Sequence, residues 1–352
     1  MSKKNPKTIN LALQGGGAHG AFTWGVLDYL LEDGRLDFDG VSATSAGAMN
    51  AAALAQGKST GGTDGAREAL ENFWSEIAKA GAFYSPVKRT PMEMAASMNP
   101  WMPDWSLGNS PYFAMFEAIT HAISPYQFNP LNFNPLRDVL EKTINFDQVN
   151  ACECLNIFIN ATNVRTGYAK VFHNKEVTMD VLLASAALPF LFQAQEIEGE
   201  AYWDGGYMGN PSLWPLFYQA ECRDILIIHV NPVQRDDIPK EAYMIENRIN
   251  EITFNASFLK EIRSIAFVKK LIHQDMLKDE YKDQYKDILI HAIRADEALK
   301  DLSIASKFDT DWGFLTHLRD LGRAQAKTWL ENHYKDVGKR DSVDIEAAYL
   351  AA

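Results

Sequence analysis

Apolar and polar positions follow one another in blocks whose period changes along the chain. Residues 8–13, Thr-Ile-Asn-Leu-Ala-Leu, form a short apolar run that breaks into glycine, the pattern of a strand. Phe22, Val26, Tyr29 and Leu30 then recur at helical spacing, so a helix is expected over 18–31, with Gly34 as its stop. A second strand is expected over 38–44, a small-residue helix over 46–54, a polar glycine-rich loop over 57–64 and an amphipathic helix over 66–80. From Pro135 the alternation resumes with a helix over 135–142 and strands over 155–164 and 169–173, paired across Arg165-Thr166-Gly167. A helix over 181–188 ends at Pro189, and an alternating run over 195–203 leads to Asp204. Residues 225–230, Ile-Leu-Ile-Ile-His-Val, are apolar enough for a strand covered on both faces. Strands alternating with helices predict a three-layer α/β/α sandwich with a mixed, mainly parallel sheet.

Two stretches depart from this rhythm. Residues 83–133 are rich in aromatics and methionine, and six prolines fall between residues 100 and 135. So many prolines exclude one long element, which suggests an insertion over the core. It divides between plain packing and the lining or lid of an apolar pocket, for which Trp101, Trp105, Phe113 and Phe116 are the candidates. After Pro239 the chain is rich in charge and helical in period, with one strand expected over 288–293. The domain reading is therefore an α/β domain over 1–239, with the insertion at about 83–133, and a mostly helical extension over 240–352, packed on it.

The formal net charge of -12 leaves no basic stripe for nucleic-acid phosphates and argues against purely electrostatic docking on anionic lipid. A transient membrane-surface contact through aromatic and aliphatic side chains stays compatible with it. The three cysteines, Cys152, Cys154 and Cys222, do not make a disulfide framework or a metal-ligand set, and are expected as thiols. No apolar leader with a cleavage site and no run of about 18 apolar residues is present, so the expected location is cytoplasmic, with peripheral lipid contact allowed. The oligomeric state is not legible.

Three motifs carry chemistry, and their order matters. Gly15-Gly16-Gly17-Ala18-His19-Gly20 follows the first strand and opens a helix. Read as G-x-G-x-x-G, with Asp37 and Asp39 downstream to hold a ribose, it is a dinucleotide fingerprint. Read otherwise, the N–H groups of Gly16, Gly17 and Ala18 form an oxyanion hole. Ser45 sits between a strand and a small-residue helix in Ala43-Thr44-Ser45-Ala46-Gly47, an A-x-S-x-G variant of the nucleophile elbow. Asp204 ends a strand before Gly205-Gly206, which alone reads as a turn. A dehydrogenase has no need of a serine elbow one strand later and an aspartate beyond it. The set points to a serine acyl hydrolase in which Asp204 takes the base role usually given to histidine. His229 lies inside an apolar strand and is expected as a core histidine, and His19 as a residue that shapes the glycine loop.

These residues resemble the patatin-like phospholipases, lipid acyl hydrolases with a serine–aspartate dyad. Gly15 to Gly20 is similar to that family's oxyanion loop, Thr44-Ser45-Ala46-Gly47 to its elbow, and Asp204-Gly205-Gly206 to its D-G-[GA] motif. Ser185 to Pro189 and Asn210-Pro211 resemble segments flanking that motif. The family often carries arginine or lysine at the place of His19. The residues at 310–312 and 318–323 resemble the carboxyl-terminal extension of a bacterial branch. The resemblance implies Ser45 as nucleophile, Asp204 as base, a lipid or acyl ester as substrate, and no metal or organic cofactor. A nucleotide-binding oxidoreductase and a non-catalytic lipid-binding protein of the same fold are the alternatives.

Overall fold

A computed structural model describes residues 6–85, 118–120, 122–235, 238–240, 242–300, 302 and 304–350. Its centre is one eight-stranded sheet in the order β5-β6-β3-β2-β1-β7-β8, with β4 paired to β3. The strands are β1 (Lys7–Leu13), β2 (Leu36–Ala43), β3 (Asn156–Asn163), β4 (Ala169–His173), β5 (Gln195–Ile197), β6 (Glu200–Asp204), β7 (Asp224–His229) and β8 (Leu289–Arg294). The run β3-β2-β1-β7-β8 is parallel throughout, and β4, β5 and β6 pair antiparallel.

Side chains alternate across this sheet, so its central strands β1, β3 and β7 feed two cores. Leu11 and Leu13 of β1 and Leu226 and Ile228 of β7 face a core shared with α1 (Gly20–Asp33), α2 (Ala46–Tyr84) and α6 (Trp312–His333). Ala12, Ile225 and Ile227 face the other, closed by Phe258, Ile262 and Ile265 of α5 (Ala242–His273). Two further helices, α3 (Pro135–Thr143) and α4 (Met179–Ser185), complete the layers beside β3. The expected three-layer sandwich is therefore present. The chain after residue 239 does more than cover it: it supplies β8 to the sheet and lays α6 along α1, where Trp312 tilts on Trp24 at 6.0 Å.

The structure differs from expectation at several points. The polar stretch 57–64 is helical apart from one break at Gly62, whose φ of 61° suits glycine, so two antiparallel helical arms meet without a long loop. The run 195–203 is a hairpin rather than one strand: Glu198 and Gly199 take φ of 52° and 81°, the two positive values of a type I′ turn. Cys152 and Cys154 are joined as a disulfide instead of standing as thiols, and Cys222 is free. The helix expected over 181–188 runs from Met179 to Ser185, capped by the Thr178 hydroxyl. Among the described residues, no helix is long and apolar enough to cross a membrane.

Candidate active site

The site lies where β1 and β2 end. Ser45 follows β2 after Thr44 and stands with φ 53° and ψ −122°, a backbone state that side chains rarely adopt. Such a residue is held by its surroundings at roughly 1–3 kcal/mol of strain. Here the Ser45 N–H donates to the Ser185 hydroxyl at 2.9 Å, and the Thr44 hydroxyl donates to the Gly209 carbonyl at 2.7 Å. Gly47 is obligatory, because any β-carbon there would collide with the Leu13 carbonyl. Ala43, the variant position of the elbow, is fully buried. Its carbonyl accepts from the Asn160 amide at 3.1 Å.

Asp204 closes β6 and is only 1% exposed. Its backbone is fixed from both sides: its N–H donates to the Ala187 carbonyl at 2.9 Å, and its carbonyl accepts from the Thr162 hydroxyl at 2.8 Å. One carboxylate oxygen accepts from the Gly206 N–H at 2.7 Å, and the Ser45 hydroxyl stands close enough to favour the carboxylate's charge. Burial pushes the Asp204 carboxyl up to about 7, although the Gly206 N–H, the Ser45 hydroxyl and the Lys307 charge pull the other way.

Gly16, Gly17 and Ala18 line the same cavity as Ser45 and Asp204. Residues 17–19 form a single 3-10 turn at the head of α1, in which the His19 N–H donates to the Gly16 carbonyl at 3.2 Å and the Gly20 N–H to the turn's own carbonyls. The loop is buttressed by amides. Asn210 accepts from the Gly15 N–H at 2.7 Å, and Asn231 donates to the Gly15 carbonyl at 2.6 Å. His19 is buried and shares a 2.7 Å hydrogen bond with the Ser306 hydroxyl. Burial, then the Lys307 and Arg235 charges, hold its imidazole down to about 3, so it is neutral.

The cavity has a volume of about 570 Å³ and is walled mainly by apolar side chains, among them Met49, Phe73, Ile77, Val139, Leu188 and Phe254. Trp101, Trp105, Phe113 and Phe116, expected as its lining, lie outside the described residues. Most of the lining residues were not singled out in the sequence, three from the chain's last third among them. Asn250 and Phe254 come from α5, and Lys307 from the short 3-10 turn Ile304–Phe308. None belongs to a motif, and their sequence neighbourhoods carry no glycine turn or strand end that would single them out.

The geometry removes the ribose ligand that a dinucleotide site needs. Asp37 and Asp39 sit at the opening of β2, with Asp37 opposite Thr8, at the other end of the strands from the glycine loop. Asp37 is paired with Lys58 at 2.7 Å, and Asp39 accepts from the N–H groups of Glu221 and Cys222 at 2.8 Å. His229 does not line the cavity, and is bonded in the core to the Tyr349 hydroxyl at 2.7 Å.

No curated protein matches the chain. Among solved structures it is similar to VipD from Legionella pneumophila, at 14% identity and a TM-score of 0.41 over 94% of this chain and 67% of that one. The sequence pattern of the patatin-like phospholipases matches residues 11–217, more than half of the chain and the whole stretch that carries the glycine loop, Ser45 and Asp204. The chain belongs to the patatin-like phospholipase family, whose members are lipid acyl hydrolases.

Proposed function

We propose that this protein hydrolyses carboxylic esters of lipids through an acyl-serine intermediate, with Ser45 and Asp204 as the dyad. The observation that carries the reading is a buried carboxylate, Asp204, beside the strained Ser45 at the wall of one large apolar cavity. A free aspartate is too weak a base for a serine hydroxyl, whereas a carboxyl pushed up to about 7 is matched to neutral pH.

Asp204 takes the Ser45 proton as the serine oxygen attacks the acyl carbonyl. The tetrahedral oxyanion is met by the Gly16, Gly17 and Ala18 amides, and collapse expels the alcohol, which leaves with the proton from Asp204. A water then gives its proton to Asp204 and attacks the acyl-serine. Its collapse releases the fatty acid, and the proton returns to Ser45. The apolar walls suit an acyl chain and keep the carboxylate out of bulk water. Lipid substrate also implies transient contact with a membrane or lipid surface.

The test is covalent labelling by a fluorophosphonate, with the adduct located by peptide mass spectrometry. Labelling confined to Ser45, together with turnover of chromogenic acyl esters and phospholipids, is the expected result. An unlabelled Ser45 in protein that binds lipid would turn the reading to a non-catalytic lipid binder. The substrate panel decides between phospholipid, neutral lipid and polyester.

A further inference from the structure

Lys307 belongs to no motif and comes from the far end of the chain, yet it reaches the heart of the site. Two residues of its turn meet the glycine loop, and a third ties the turn to the end of α2. The Ser306 hydroxyl meets His19 at 2.7 Å, the Lys307 carbonyl packs on Gly17, and the Phe308 carbonyl accepts from the Ser85 hydroxyl at 2.8 Å. Gly17 takes a positive φ of 58°, and a β-carbon there would run into that Lys307 carbonyl. The ammonium donates to the Asn231 side-chain oxygen at 2.9 Å and reaches that of Asn250 at 3.5 Å. Asn231 in turn holds the Gly15 carbonyl, so the ammonium and the glycine loop share one amide.

We propose that Lys307 is the positioning residue of this site: it places a positive charge beside Asp204 and the glycine loop and locks the loop in the shape that receives an oxyanion. The proposal rests on the hydrolase reading above. His19, at the basic position of the loop, cannot supply the charge, because it is buried and neutral.

The charges around Lys307 come from several elements. Asp204 of β6 and Glu251 of α5 favour its charge, and Arg235 opposes it. Arg235 and Arg248 are themselves paired with Glu251, at 2.7 and 3.0 Å, which leaves the Glu251 charge largely spoken for. His19 stands on the loop side and is uncharged. Burial brings the Lys307 ammonium down to about 8, inside the range where an enzyme works. The site is thus bracketed: below about 7 Asp204 takes up a proton and ceases to be a base, and above about 8 Lys307 loses its charge.

The experiment is the pH dependence of kcat and KM for a soluble chromogenic ester, with the full chain and with Lys307→Met and Lys307→Arg, each checked for folding by circular dichroism. The unchanged protein should give a bell-shaped kcat/KM, falling on both sides of neutral to mildly alkaline pH. Lys307→Met should lose about 10²-fold in kcat with little change in KM, as when one oxyanion contact is removed. It should also shift the acid limb upward, because the Lys307 charge holds the Asp204 carboxyl down, and abolish the alkaline limb. Lys307→Arg should restore most of kcat and carry activity to higher pH, since a guanidinium keeps its charge. A merely structural lysine would change none of the pH limbs. An unchanged protein whose rate stays flat to pH 10, or a folded Lys307→Met with the original profile and kcat, overturns the proposal while leaving the hydrolase intact. Absence of ester turnover and of Ser45 labelling in the unchanged protein would remove the hydrolase reading, and this proposal with it.

Discussion

Asp204 and Asp224 are both buried aspartates of the same sheet, 1% and 3% exposed, and they differ in what surrounds their charge. Asp224 opens β7 and meets His291 at 2.9 Å and the Gly338 N–H at 2.6 Å, both on one oxygen. Asp204 closes β6 with one backbone N–H on its carboxylate and the Ser45 hydroxyl nearby, and Lys307 acts on it without an ion pair of 4 Å or less among the described residues. Asp224 knits the strand openings to the chain's last segment. Asp204 faces the cavity at the opposite, carboxyl ends of β1 and β2. Burial therefore marks neither as functional by itself. The lesson lies in incomplete compensation: a carboxylate kept dry and under-partnered, beside a strained serine, is what a general base requires.

The sharpest way to break this comparison is to neutralise each acid. Ser45→Ala and Asp204→Asn should each lower kcat by about 10⁴-fold or more, and the double variant little further, because members of such a unit fail together. Asp224→Ala should leave kcat for a soluble ester within about 3-fold at a temperature where it is folded, yet cost roughly 3 kcal/mol or more in urea unfolding, since His291 and the Gly338 N–H lose their acceptor. If Asp224→Ala were the inactive protein, the assignment of roles would be reversed.

A subtler arm concerns stability. The folded-state pKa of Asp204 is raised, so its contribution is favourable in acid and is lost as pH rises from its ordinary 3.8 through about 7. At pH 8 the native state carries a buried, poorly compensated charge. Asp204→Asn keeps an acceptor for the Gly206 N–H and removes that charge. It should melt higher than the unchanged protein at pH 8, with the gap closing at pH 4. An equal melting temperature at both values would mean that the carboxyl is not held up by burial.

How far this site was legible follows from the same physics. The glycine loop, the elbow and Asp204 could be read because each needs particular residues at fixed local spacing: Gly17 for its positive φ, Gly47 for passage of the Leu13 carbonyl, and Asp-Gly-Gly for a carboxylate that accepts the next turn's N–H. The strand–helix alternation was legible for the same reason, since period is local. Gly57 to Asp64 misled because a polar, glycine-rich composition signals a loop, while the chain here needs a single break, at Gly62, between two helical arms. Asp37 and Asp39 misled because spacing along the sequence does not say at which end of β2 a residue falls. Lys307 was invisible. Its role comes from a contact across nearly 300 positions, and a lone lysine in a short turn is, by sequence, a surface residue.

The smallest expected effect tests the histidines. His229 sits in β7 under the ring of Phe258, bonded to the Tyr349 hydroxyl, and burial followed by the Arg294 charge holds its imidazole down to about 3. Its folded pKa lies below the ordinary 6.5, so the stability it confers is complete above that value. It is lost as pH falls toward 3, at up to about 1.4 kcal/mol per pH unit. His229→Gln keeps a polar partner for Tyr349 and cannot take up a proton. It should leave kcat at pH 7.5 unchanged and flatten the fall of urea stability between pH 6 and pH 4. The same substitution also probes the reading of the dyad, because a serine–histidine–aspartate triad would make it the most damaging change in the chain. With His229 turned toward Tyr349 and Phe258, away from the cavity of Ser45, the expected signature is a change confined to the acid arm of the stability curve.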